Sequence, residues 1–350
     1  LATKTNSLID QFDYDITILT INGENDLFFF KFHPKVKFLN IILTGNVFFH
    51  FLSYVYQIKK AINLVNPDII SVCDDGLKGL FFPILFTKST PLIYERHASL
   101  SLNFNIESSF FKKIKNKIIN KAIIFGAKKF NKFIVLTSGN KNDWPEVLCT
   151  VIPNPNPYQN RSSLIYKKEK KVIAVGTQSY NKGYDRLIKI WSIVNNEFPD
   201  WVLNIYGKKN DNLNLIQEVE RLNLEKIILF HDPIKDIHLQ YQKASILALP
   251  SRSEGFGMVL IEAMSFGVPC VSFDCPHGPS DIINDGEDGY LIEDGNINAF
   301  AIQLIKLIKS QELRSKMSRG ALKNVKKYSS DRIILMWDDL YKNLLKYSNG

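Results

Sequence analysis

The chain has 350 residues, 45% hydrophobic and 23% charged, too many for one ordinary core, so two domains are expected. Near-average glycine (18) and proline (14), and the lack of any apolar run of about 18 residues, exclude collagen-like, disordered and membrane-spanning classes. The net charge of +9 is uneven, with 19 basic against 12 acidic side chains in residues 1–165. Cys73, Cys149, Cys270 and Cys275 are too scattered for zinc knuckles and too few for a disulfide framework, so a reducing, cytoplasmic setting is expected.

In chain order, a helix is predicted over 1–11. Asp13-Tyr14-Asp15 follows, an Asp-x-Asp pattern that can hold a divalent metal but that a polar turn entering a buried strand at 16–21 explains without one, so no metal is expected there. A helix over 51–66 leads to a strand at 69–73. Asp74 and Asp75, at that strand's end, lie on the cleft side of an α/β sheet and are candidate acceptor contacts. Strands at 91–94 and 133–137 complete the first layer, with His97 just beyond the former. Between Phe111 and Phe133, Lys112, Lys113, Lys115, Lys117, Lys121, Lys128, Lys129 and Lys132 occur without an acid. Interleaved isoleucines make a basic amphipathic helix that suits an anionic membrane surface; the alternative is a core-facing helix with a solvated lysine face. The run lacks the arginines and aromatics of a nucleic-acid reader, so no nucleic-acid partner is expected.

Pro153-Asn154-Pro155-Asn156-Pro157 breaks both helical and strand periods and marks the domain boundary, giving domains over 1–157 and 158–330. The alternation then restarts, with strands at 171–175, 201–206, 227–230 and 245–250 and helices at 185–197 and 213–222. It reads as a second α/β layer with a parallel sheet. A last helix over 331–347 carries Ile333, Trp337, Leu340 and Leu344 at helical spacing, an apolar face that suits a crossing back to the first domain.

The most informative segment reads strand (244–250), tight loop (251–257), helix (258–266), strand (270–273). Gly255 and Gly257 permit close backbone approach where the helix begins, and the amides there suit an anion. Glu262 is the one charged residue between Gly255 and Phe273; in an apolar helix its carboxylate needs partners, and a ribose diol offers two donors. A structural salt bridge is the alternative for Glu262, and a solvated loop acid for Glu254, eight residues earlier.

Ser253-Glu254-Gly255-Phe256-Gly257 through Glu262-Ala263 resembles the Glu-x7-Glu signature of the retaining glycosyltransferases of family 4. The resemblance extends through Ile152-Pro153-Asn154, Val175-Gly176, Asn181-Lys182-Gly183-Tyr184-Asp185, Ile205-Tyr206-Gly207 and Asp285-Gly286-Glu287-Asp288-Gly289. It implies a GT-B fold, two Rossmann-like domains facing across a cleft. It also implies donor-binding roles for Gly176, Thr177, Gly207, Gly255, Phe256, Gly257, Met258, Val259 and Glu262. In that pattern Glu262 holds the ribose hydroxyls, Glu254 contacts the donor sugar, Lys182 neutralises the departing diphosphate, and the amides of residues 256–259 hold that diphosphate. His97 would face the donor sugar, with Glu95 and Arg96 beside it read alternatively as a surface pair. Thr177 stands where the family has an arginine, so Arg252, Lys208 or a first-domain lysine would supply the second cation. The family begins with a strand and a Gly-Gly loop, whereas this chain starts at the following helix, so those elements are expected to be missing.

The resemblance therefore implies a metal-independent, cofactor-free retaining glycosyltransferase. It would move a sugar from a nucleotide diphosphate, expected to be UDP, to a glycan or polyprenyl-diphosphate-linked oligosaccharide in surface polysaccharide or lipopolysaccharide synthesis, working in the cytoplasm and peripherally at the inner membrane face. The alternatives are a non-catalytic partner subunit and a sugar-nucleotide epimerase of the same fold.

Overall fold

A computed structural model describes residues 1–23, 30–43, 47–73, 76–86, 90–97, 119, 121–158 and 168–348. The second half is built on six parallel strands: β7 (Lys171–Val175), β8 (Val202–Tyr206), β9 (Ile228–His231), β10 (Ile246–Leu249), β11 (Cys270–Asp274) and β12 (Gly289–Glu293). Their order is β9-β8-β7-β10-β11-β12, so the strand sequence reverses between β7 and β10. Ligands of doubly wound sheets bind outside the carboxyl ends of the strands at such a reversal.

Successive side chains of a strand point to opposite faces, and both faces here are covered. Val172 and Ala174 of β7 and Ile246 and Ala248 of β10 join the core under the helix Tyr184–Asn195. Ile173, Leu247 and Leu249 join the opposite core under the helix Met258–Met264. Double burial explains the continuous apolar runs by which these strands are legible in the sequence.

The first half holds two parallel sheets, β1 (Thr17–Ile21) with β2 (Lys37–Ile41), and β3-β4-β5-β6 (Ile70–Val72, Leu92–Arg96, Lys132–Val135, Cys149–Val151). One core contains Ile41, Tyr94, Phe133 and Val135 with Tyr54 and Ile58 of the helix α2 (Val47–Val65). The other is made largely by the C-terminal helix Ser330–Ser348: Ile333, Ile334, Trp337, Leu340, Tyr341 and Leu344 pack with Leu8 of α1 (Ala2–Phe12), Ile93 and Ile134. Trp337 is 2% exposed. Truncating it to alanine is expected to cost about 3–5 kcal/mol, measured by denaturant unfolding.

The two halves are pinned together. Asn156 donates from its backbone N–H to the Tyr328 carbonyl (2.9 Å), and Ser330 Oγ donates to the Asn156 carbonyl (2.9 Å). Across the cleft, Asp281 accepts from the backbone N–H of Ser138 at 2.9 Å, and His277 Nε2 lies 2.8 Å from Asp143 Oδ2. Among the described residues no helix is long and apolar enough to cross a membrane.

Asp13-Tyr14-Asp15 is the turn into β1. Asp13 pairs with Lys35 at 2.8 Å, Asp15 with Lys37 at 2.7 Å, and Tyr14 donates to Asp338. The lysine run is only partly a helix: Lys132 opens β5 and Lys128 pairs with Glu146, while Lys112, Lys113, Lys115 and Lys117 lie outside the described residues, as do Asp74 and Asp75.

Candidate functional site

Two loops meet at the strand reversal. The loop after β7 passes through Gly176 into a short 3-10 turn, Tyr180–Lys182; the loop after β10 runs from Pro250 to Gly257. Gly183 joins them. Its φ is +67°, and a Cβ there would lie 2.1 Å from the Pro250 carbonyl oxygen, so only glycine lets the turn approach so closely. Gly207, after β8, is equally confined: its Cβ would lie 1.9 Å from the Gly176 carbonyl oxygen.

That approach delivers Lys182 to Glu254, with Nζ 2.7 Å from Oε1. Glu254 is 8% exposed rather than a solvated loop acid, and Ser251, fully buried, donates to the same oxygen at 2.6 Å. Gly183→Ala is expected to push the turn away, break the Lys182–Glu254 pair and destabilise the second domain, observable as a lower melting temperature and a lost contact in the variant's crystal structure.

Gly257 caps the helix Met258–Met264 with φ +96°. Phe256 is buried, with its ring edge-on to Tyr328 at 5.6 Å, so its side chain anchors the loop. Met258 and Val259 are half-buried, and Thr177 is exposed beside Gly176. Glu262, one turn into the helix, is half-buried and accepts from the Tyr241 hydroxyl at 2.9 Å. Desolvation raises its carboxyl pKa above the ordinary value, and the Tyr241 hydrogen bond offsets this only in part. A hydroxyl therefore stands where a salt bridge was the alternative.

Arg252, one of three candidates for a second cation, is already engaged. It forks onto Asp185 at 2.8 and 2.6 Å and lies 3.9 Å over the Tyr180 ring. Lys208 is exposed, and its carbonyl accepts from the Gln178 backbone N–H, next to Thr177. Asp288 of the Asp285–Gly289 loop is buried and bonds Asn284 and Asn324, which holds the loop together.

In the first domain His97 follows β4, its side chain 36% exposed, with Nε2 3.5 Å from Glu95 Oε2. Glu95 and Arg96 are not a surface pair: they are 3% and 4% exposed. Glu95 takes an ion pair from Lys4 at 2.5 Å and a hydrogen bond from Ser71. Burial opposes ionisation of Glu95, but Lys4 and the hydrogen bonds from His97, Lys4 and Ser71 hold its carboxyl well below the ordinary range. Among the described residues Cys73, Glu95 and His97 could each turn a ligand atom within 4.8 Å of the others. Lys4 already gives Glu95 its counter-charge, so this set is poorly matched to a cation.

The local spacing from Lys182 to Glu262 makes those residues legible in sequence. Ser251, Tyr241, Lys4 and Glu95 have no such signal, because their partners are set by tertiary packing; the Lys4–Glu95 pair spans 91 positions.

Residues 156–324 match the family described as glycosyl transferases group 1. The match spans most of the second domain, which is similar to that family. The whole chain is similar to the amylovoran biosynthesis glycosyltransferase AmsD of Erwinia amylovora, 28% identical over 97% of this chain and 94% of that protein. A structure of S. aureus TarM in complex with fondaparinux, alpha-GlcNAc-glycerol and UDP superimposes with TM-score 0.71 at 27% identity, covering 83% of this chain and 59% of TarM. Sucrose-phosphate synthase from Thermosynechococcus elongatus gives TM-score 0.81 at 15% identity over 98% of this chain and 92% of its own, a likeness of fold. The fold is GT-B, and the matched segment carries the strand reversal with Lys182, Glu254 and Glu262.

Proposed function

We propose that this protein is a retaining glycosyltransferase of bacterial surface polysaccharide synthesis, taking a sugar from a UDP-linked donor to a glycan or lipid-linked oligosaccharide. The observation that carries the reading is the junction at the β7/β10 reversal, where a lysine, a buried carboxylate and two glycine-thinned loops converge. The amides of residues 256–259 would receive the diphosphate, Glu262 the ribose hydroxyls, and Glu254 a sugar hydroxyl. Lys182 would divide its charge between Glu254 and the leaving diphosphate, stabilising negative charge as it develops. His97 would meet the sugar from the opposite lobe, and closure of the lobes would orient the acceptor for attack on the same face. This chemistry calls on no metal or cofactor. UDP is bound in the TarM structure, and AmsD is named for polysaccharide synthesis, which supports the donor and the pathway class.

Incubation with a panel of nucleotide sugars and lipid-linked acceptors tests the reading. Transfer, or slow donor hydrolysis, with the anomeric configuration kept is the expected result; binding without turnover would favour the partner-subunit alternative, and isomerised donor the epimerase.

A peripheral membrane location is part of the proposal. α2 contains no acidic residue and exposes Phe51, Leu52 and Tyr56 ahead of Lys59 and Lys60. The helical stretch 121–127 exposes Phe125 and buries Ile123 and Ala127 in the same core as α2, so both helices cover one face of the sheet. Sedimentation with anionic but not neutral vesicles is expected, and weakened when Phe51, Leu52 and Tyr56 are changed to serine.

A further inference from the structure

The first-domain side of the cleft contains a connected set of groups that the proposed chemistry leaves without a task. Lys4 of α1 is buried, pairs with Glu95 at 2.5 Å and lies 4.0 Å from the centre of the Trp337 ring on the C-terminal helix. Glu95 is buried as the penultimate residue of β4, with one oxygen shared by Lys4 and Ser71 and the other, Oε2, 3.5 Å from His97 Nε2. A buried carboxylate remains ionised only if it is neutralised, and here an ammonium from another element does so.

We infer that Glu95, kept anionic by Lys4, is the positioning residue of His97: its Oε2 accepts from the ring's Nε2–H, and this fixes the plane and the neutral tautomer of the imidazole. An imidazole offers one donor and one acceptor, and the nitrogen that donates to a carboxylate settles which is which. Lys4 and Trp337 act one step further back, since the ammonium seated against the indole face is what keeps the carboxylate charged. The C-terminal helix thereby supports a side chain at the cleft. The consequence for transfer rests on the reading of His97 as facing the donor, but the tautomer does not.

Two measurements separate these. The first is 15N chemical shifts of His97 in ligand-free, histidine-labelled protein, assigned with His97→Ala. The wild type is expected to show protonation at Nε2. Lys4→Met/Glu95→Leu, which removes charge and acceptor together and leaves no buried ion unpaired, is expected to lose that preference. Lys4→Met/Glu95→Gln, which keeps an amide oxygen, is expected to recover part of it. An unchanged 15N pattern in the leucine variant overturns the inference whatever the enzyme does.

The second measurement is kinetic. The leucine variant is expected to lose kcat about as strongly as His97→Ala with donor KM little altered, and combining it with His97→Ala should add little further loss. Fully additive losses overturn the coupling. If His97→Ala alone leaves transfer untouched, the proposed role of His97 fails, while the tautomer result stands by itself.

Discussion

Lys182→Ala is expected to slow sugar transfer by about 10²–10³-fold, the range seen when one donor to a developing negative charge is removed from an organised site. Donor KM should change far less, because the ammonium acts on charge that appears as the glycosidic bond to the diphosphate breaks. The ligand-free structure complicates a simple reading of that variant, since Lys182 also neutralises Glu254, a carboxylate 8% exposed. Alanine leaves that carboxylate with Ser251 as its remaining side-chain donor among the described residues, so the melting temperature should fall as well. The double variant Lys182→Ala/Glu254→Gln separates the two effects, because it removes the stranded charge. Melting should recover in the double variant and transfer should not. Recovery of the rate along with the melting temperature would make Lys182 a structural residue.

Glu262→Gln carries the second large effect, and it acts in opposite directions on stability and on binding. Desolvation raises the Glu262 carboxyl pKa in the folded chain. A carboxyl raised above its unfolded value stabilises the fold in its protonated form, and that contribution is lost as pH rises through the folded pKa. At neutral pH the ionised side chain is therefore a cost to the empty protein, and glutamine should raise the melting temperature. The gain should shrink on acidification and vanish below the ordinary carboxylate range, where wild type and variant are both neutral. Nucleotide binding moves the other way. An ionised carboxylate accepting two ribose hydroxyls loses about 1.5–3 kcal/mol on becoming an amide, or about 10- to 150-fold in affinity. Thermal unfolding with and without nucleotide across pH 4–8 reads both effects, here taken on the order of one unit per step. A variant less stable at neutral pH, or one binding nucleotide as tightly as wild type, would contradict the assignment of Glu262.

The sequence disclosed the second domain better than the first, and the reason is physical. β7 is read at its true bounds and β8, β9, β10 and β11 within a residue, because strands buried on both faces are uninterrupted apolar runs. β2 escapes detection since Lys37 and Asn40 interrupt its pattern, and only Ile41 of the strand is buried. β6 is three residues long and β12 begins inside the Asp285–Gly289 loop, so neither presents a strand-length signal. Within the candidate site, Lys182, Glu254 and Glu262 follow from local spacing. The engagement of Arg252 with Asp185, the burial of Glu95 and Arg96, and the hydroxyls on Glu254 and Glu262 all depend on contacts between distant segments, which no local pattern encodes.

The most direct test is calorimetric titration of the protein with UDP, GDP and ADP alongside the parent nucleosides. A diphosphate seated at the β7/β10 reversal predicts one molecule of nucleoside diphosphate per chain, bound at least about tenfold more tightly than its nucleoside, with that advantage reduced in Lys182→Ala and the overall affinity lowered in Glu262→Gln. Equal affinity for nucleoside and diphosphate, or binding indifferent to both substitutions, would contradict it.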